Sequence, residues 1–181
     1  MAPSPNWVKM TRRRREDKLK LHATHIFNCS VQRFWEIFWD KEYAQMLDAE
    51  TGVRREILWN REDDTCRVWR VKVIPDDDLP GPVAKVAGTK KFIYEQENQL
   101  DRATHCMKWR VIPALQSGKI RAEGTMTIRA IPTGVERVVE GEVQVRIPLV
   151  GKRIEKAVVN SVTRSYDKAA EATQKWLLSH P

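Results

Sequence analysis

A chain of 181 residues is the length of one domain, and 41% apolar with 31% charged residues reads as a folded globular body, not a disordered one. No apolar run approaches the ~20 residues that cross a bilayer, the N-terminus lacks the apolar stretch of a secretory signal, and Cys29, Cys66 and Cys106 have no metal-ligand spacing. The formal charge of +8 points to a polyanionic partner, yet residues 1–20 carry +5 of it, with Arg12, Arg13, Arg14 and Arg15 at their centre.

Residues 1–17 read as a flexible basic arm ahead of one domain spanning 18–181. Over 18–29, Leu19, Leu21, Ala23 and His25 alternate with Lys20, His22, Thr24 and Ile26, the period of a strand. Ser30 is a good N-cap for a helix over 31–39, in which Val31, Phe34, Trp35 and Phe38 recur at helical spacing. A second helix over 41–49 carries Tyr43, Met46 and Leu47. Period-2 segments at 52–60, 65–74, 89–97, 104–113, 119–131 and 135–147, separated by turn chemistry, predict six further strands in an antiparallel meander. The last 30 residues return to helical period. Ile154, Val158, Ser161, Val162, Ser165, Tyr166, Ala169, Ala172 and Trp176 trace one face of a helix over 150–178.

This order is α+β: a strongly curved seven-stranded antiparallel sheet, two short helices after the first strand, and one long C-terminal helix. A 30-residue helix is ~45 Å long and crosses such a sheet diagonally without filling its concave side. The space left over suits an apolar small molecule. Its strand walls are expected to be Trp69, Val71 and Val73; Tyr94; His105, Met107, Trp109 and Val111; Met126 with Ala122, Gly124 and Ile128; and Val143 with Val139, Gly141 and Val145. Its helical wall is expected to be Val158, Ser161, Val162, Ser165 and Tyr166. Gly124, Gly141 and the two serines leave volume and hydroxyls on these faces. The same residues also serve as a plain core.

Trp69, Trp109, Met107 and Met126 suit gripping a ring or acyl chain, and His105 or Tyr166 suits orienting a hydroxyl or carbonyl. No catalytic, cofactor or metal signature is present: GxSxG, HExxH, the P-loop and GxGxxG are all missing. Asp76, Asp77 and Asp78 read as solvated loop charge. Leu79, Pro80, Gly81, Pro82 and Val83 form a stiff turn, either a connector or a lip at the cavity mouth. The Arg12–Arg15 run suits anionic lipid headgroups, a nucleic-acid contact or a solubilising arm. Nucleic acid is the weaker reading, because the body after residue 20 carries only +3.

With this element order, the segments Arg70–Pro75, Asp78–Pro80, Val83–Val86 with Gly88, Phe92–Glu97 and Pro148–Lys156 resemble the START-like superfamily (helix-grip, polyketide-cyclase-like). Within it the resemblance is nearest to the DUF2505 family. Asn98 stands where that family's pattern carries an aromatic residue. The resemblance implies a helix-grip fold and the binding, transfer or sensing of lipids, sterols or polyketides, with catalysis in a minority of members. The expectation is a cytoplasmic, non-catalytic binder of a hydrophobic ligand whose arm meets anionic membrane peripherally. The alternative is an aromatase/cyclase-type or hydrolase-type enzyme using His105 and Tyr166.

Overall fold

The computed structural model describes residues 19–79, 81, 84–85, 89–113, 120–149 and 151–181. The elements run β1 (Leu19–Phe27), α1 (Val31–Phe38), α2 (Lys41–Thr51), β2 (Val53–Glu62), β3 (Cys66–Pro75), β4 (Tyr94–Asp101), β5 (Cys106–Pro113), β6 (Ile120–Ile131), β7 (Gly134–Val145) and α3 (Gly151–Ser179). The strands form one antiparallel sheet in the order β1-β7-β6-β5-β4-β3-β2. The sheet is therefore a meander closed on one side by the first strand, with β1 and β2 as its edges.

Alternation along the strands separates two chemistries. The inner face buries Phe27, Ile128, Val135 and Val139 almost completely. The outer face carries charges that pair across strands: Glu97 accepts from Arg70 (2.7 Å) on one neighbour and pairs with Arg110 (2.6 Å) on the other. These arginines hold the Glu97 carboxyl below the usual carboxylate range, Arg70 first. Such half-exposed pairs set register more than stability.

The helices start where capping residues permit. The Ser30 hydroxyl accepts from Arg33 N–H (3.1 Å), and an Asp40 carboxylate oxygen accepts from Tyr43 N–H (2.8 Å). Each satisfies an otherwise unpaired N–H of a first turn. Ser30→Ala and Asp40→Ala are each expected to lower stability by about 1 kcal/mol, read from denaturant melts. Gly52, at φ 64°, ends α2 in the left-handed region and turns the chain into β2.

α1 plugs one end of the concave face with interlocked rings. Phe34 meets Phe27 (5.6 Å between centroids), Phe38 meets Trp69 (6.3 Å) and Trp39 meets Trp69 (4.9 Å). α3 packs on β1, β7 and α2. Polar contacts fix its position: Tyr43 to Thr173 (2.8 Å, hydroxyl to hydroxyl), His25 Nε2 to Asp167 (2.9 Å), and Val145 N–H donating to the buried Glu155 (2.8 Å).

Most elements lie within two residues of their expected positions, but β4 does not. It begins at Tyr94 rather than residue 89, because the chain just before it folds back on the β3 exit. Leu79 N–H donates to the Lys90 carbonyl (2.6 Å), and Lys91 Nζ donates to the Asp76 carbonyl (3.0 Å). β4 also continues to Asp101, whose carboxylate receives Ala103 N–H (2.9 Å) and Thr104 N–H (3.0 Å) and so makes the turn there.

Candidate functional site

Register across the sheet orders the inner face into rows. One runs Leu21, Gly141, Gly124, Trp109, Asn98, Trp69 from β1 to β3. The next row toward the far end includes Val111, Gln96 and Val71, and the one after it Tyr94, Val73 and Arg55. The α1 plug ends at the Trp69 row. Beyond it the inner faces of β3, β4 and β5 look toward α3, which itself packs on the other half of the sheet. Val158, Val162 and Tyr166 of α3 and Tyr94 and Val111 of the sheet are only half-buried, although all belong to the core assembly. Their partial exposure marks the space between helix and sheet as the candidate gap.

The gap is apolar with a few polar groups. Burial pushes the Tyr94 hydroxyl up to about 12, with the Arg55 charge acting in the opposite sense and Tyr166 adding a smaller upward push. Burial likewise raises Tyr166, against the pull of Arg137 and Arg55. Both phenols are therefore protonated at neutral pH, enclosed by protein yet with part of their side chains accessible to water. Gln96 donates its amide to Asn98 Oδ1 (2.7 Å), so two amides sit side by side on β4. The buried Trp109 indole N–H has no partner. Arg55 is anchored at the rim by Asp48 of α2.

On the opposite face of the sheet, a depression of about 550 Å³ is lined by outward Glu97, Lys108, Arg110 and Glu123. Glu97 there pairs with Arg70 and Arg110 and Glu123 with Arg121, a charged lining, so the concave gap is the better candidate for an apolar ligand.

The expected site residues divide. Tyr94, Val71, Val158, Val162, Ser165 and Tyr166 come together around or beside the gap. Trp69, Met107, Trp109, Met126 and Val143 are at most 8% exposed and packed. Trp69 and Trp109 form the row at the edge of the gap, Val143 lies on β7 beside Ala122, and Met107 and Met126 lie one row toward α1, at the plugged end and away from the gap. His105 is not in a strand. It occupies the β4–β5 turn at φ 52°, at the opposite end of β4 from Tyr94, and its carbonyl accepts from Ile128 N–H (3.1 Å). Ser161 is exposed on the flank of α3, since at 100° per residue it falls outside the arc holding Val158, Val162 and Tyr166. Gly124 and Gly141 do not open volume, because the six-membered ring of Trp109 fills the space above both. Leu79 is half-buried, whereas Pro80, Pro82, Val83 and Arg12–Arg15 lie outside the described residues.

Gln96, Asn98 and Arg55 were not expected here. Extending the Tyr94 alternation two further steps along β4 would have placed both amides inward. Among the described residues, no three His, Cys, Asp or Glu side chains converge as for a metal, and no helix is long and apolar enough to cross a membrane.

The family model described as "Protein of unknown function (DUF2505)" matches residues 22–177. The chain belongs to the DUF2505 family. A search of curated proteins returns no match. Among solved structures, this DUF2505 chain is similar to TTHA0849 from Thermus thermophilus (TM-score 0.63, 16% identity, covering 89% of this chain and 98% of that one). It is also similar to the Zhui aromatase/cyclase from Streptomyces sp. R1128 (0.59, 15%, 87% and 92%) and to a START superfamily protein from Mycobacterium smegmatis (0.56, 15%, 87% and 98%). At these identities the likeness is one of fold: the DUF2505 chain has the START-like, helix-grip architecture.

Proposed function

We propose that this DUF2505 protein holds a hydrophobic small molecule (a lipid, sterol or polyketide-like compound) between α3 and the inner face of β3–β5, carrying or sensing it without transforming it. The observation that supports this reading is the pair Tyr94 and Tyr166, buried phenols on opposite elements whose residues stay partly accessible to solvent. Their apolar neighbours supply dispersion and area. The phenols, Gln96, Asn98 and the Trp109 N–H supply the few polar contacts that orient a ligand oxygen. Two phenols held protonated hydrogen-bond well but do not act as bases at neutral pH.

The test is a substitution that fills the gap. Val162→Trp is expected to weaken binding of fluorescent fatty-acid or sterol probes at least tenfold with an unchanged thermal midpoint. In a tightly packed core the same change would destabilise by about 1–3 kcal/mol. Native mass spectrometry that finds no bound molecule, together with no uptake of any probe, would remove this reading.

A second reading follows from the likeness to the Zhui aromatase/cyclase and from the two buried tyrosines on opposite elements. It requires turnover of a polyketide-like substrate that is lost in Tyr166→Phe or Tyr94→Phe while the substrate still binds. The basic run Arg12–Arg15 is proposed to bring the body to anionic membrane. Vesicles containing phosphatidylserine should retain the whole chain at low salt and release one lacking residues 1–17.

A further inference from the structure

The edge strand β2 is exposed along most of its length and carries apolar side chains where an edge normally carries charge. Ile57 is 67% and Leu58 45% exposed. Such an edge is an open template for another strand. Around this apolar centre the sequence reads Arg54, Arg55, Glu56, Ile57, Leu58, Trp59, Asn60, Arg61, Glu62, Asp63. Turned antiparallel on itself about the Leu58–Trp59 bond, it sets Glu56 against Arg61, Arg55 against Glu62 and Arg54 against Asp63. Every charge meets its opposite.

In a regular strand that register fails, because it joins residues of opposite parity, which lie on opposite faces. Here the register of β2 on β3 shifts between Ile57 and Trp59. Arg55 and Ile57 stand opposite Val73 and Val71, while Asn60 and Glu62 stand opposite Trp69 and Arg67, so all four occupy the inner face. Glu56 and Arg61 occupy the outer face. The bulge thus brings every flanking pair, Glu56 with Arg61, Arg55 with Glu62 and Ile57 with Asn60, onto a common face.

The backbone agrees. Arg55 N–H points away from β3 and is already taken by Asp48 of the same chain (2.8 Å), which sets the phase of the edge and confines backbone pairing to residues 56–61. Alternation along the unbroken β3 then turns the backbone groups of Ile57 and Asn60 outward as well, the arrangement in which opposed residues exchange two hydrogen bonds.

We infer that two copies of this chain associate through β2, antiparallel about a two-fold axis at Leu58–Trp59, joining their sheets edge to edge. The interface is isologous. Apolar Leu58 and Trp59 lie at its centre, and Glu56–Arg61 pairs lie on its outer side. Arg55 and Glu62 keep partners within their own chain, Asp48 for the first and Arg67 and Arg102 for the second. Among the described residues Glu56 meets only the exposed Arg54 (3.3 Å), a weak surface pair that Arg61 of the second copy can replace, so the Glu56–Arg61 pairs decide specificity.

Sedimentation velocity and light scattering on the whole chain test this. Wild type should show twice the 21.1 kDa mass at micromolar concentration. Glu56→Arg and Arg61→Glu should each dissociate at least tenfold more readily, since each sets like charges together twice. Mixed in equal amounts, the two variants should recover the dimer, as should the double variant. Recovery on mixing also shows both to be folded. A wild type at monomer mass up to several hundred micromolar, single variants as dimeric as wild type, or a mixture that stays monomeric would each overturn the proposal.

Discussion

Gly141→Ala is expected to destabilise the protein by about 3 kcal/mol, the upper end of overpacking effects, and Trp109→Leu is expected to recover part of that loss. A methyl on Gly141 would lie 2.5 and 2.7 Å from Cζ2 and Cη2 of Trp109, and 2.9 Å from the Glu123 carbonyl. The principal obstacle is thus a side chain, and shortening it relieves the clash. Gly124→Ala differs although it sits directly opposite Gly141 in the β6–β7 pairing. Its methyl would meet the Glu140 carbonyl oxygen of the paired strand as well as the Trp109 ring (2.6 Å). No change at Trp109 moves a backbone carbonyl, so Gly124→Ala should lose cooperative unfolding altogether, with or without Trp109→Leu. Denaturant melts of Gly141→Ala, Trp109→Leu and their double variant form a mutant cycle. A cooperative melt regained by Gly124→Ala on adding Trp109→Leu would contradict this account.

The second large effect belongs to Arg137, a charge buried between β7 and α3. Its guanidinium lies over the rings of Phe27 (5.1 Å) and Tyr166 (5.3 Å), and Nη2 donates to His25 Nδ1 (3.1 Å) and the Tyr166 carbonyl (3.1 Å). Arg137→Ala removes that volume and strands two acceptors, with an expected loss of about 3–5 kcal/mol. Arg137→Met keeps most of the volume and should regain over half of it. The unpartnered Nε–H already marks incomplete compensation for desolvation.

The same cluster sets a pH dependence. His25 is held below its ordinary value of 6.5, chiefly by burial and further by the Arg137 charge, with Asp167 pulling the other way. The folded state therefore binds this proton less readily than the unfolded chain. Its contribution to stability is complete above pH 6.5, declines as pH falls through the interval down to the folded-state value, and is lost below it. His25→Gln should flatten unfolding free energy across that interval, whereas an unchanged slope would assign the dependence elsewhere.

The fold was legible because its elements obey simple periods. The Trp69–Val71–Val73 and Val139–Gly141–Val143 alternations fix which side of β3 and β7 is inner, and the Val158–Val162–Tyr166 spacing fixes the inner arc of α3. The errors arise where tertiary contact overrides pattern. Residues 89–91 look like strand but fold back on the β3 exit, and Asp101, which reads as one more polar residue, makes the turn. Glycine is ambiguous in one dimension: an inward Gly141 denotes equally a void or the seat of a large ring two strands away. Arg137 and Glu155 look like surface charges, and only the crossing of α3 over β7 buries them. His105 keeps strand parity in the sequence, yet the turn geometry removes it from the strand.

The sheet also has a direction. The end closed by α1 is built from helix and strand residues locked ring against ring. At the other end, three connections (76–93, 114–119 and 146–150) join β3 to β4, β5 to β6, and β7 to α3. These connections lie at the far end of the strands from the aromatic plug. On the proposed function, access to the site is expected to vary between family members through them, and grafting the three connections between members would test what the site admits.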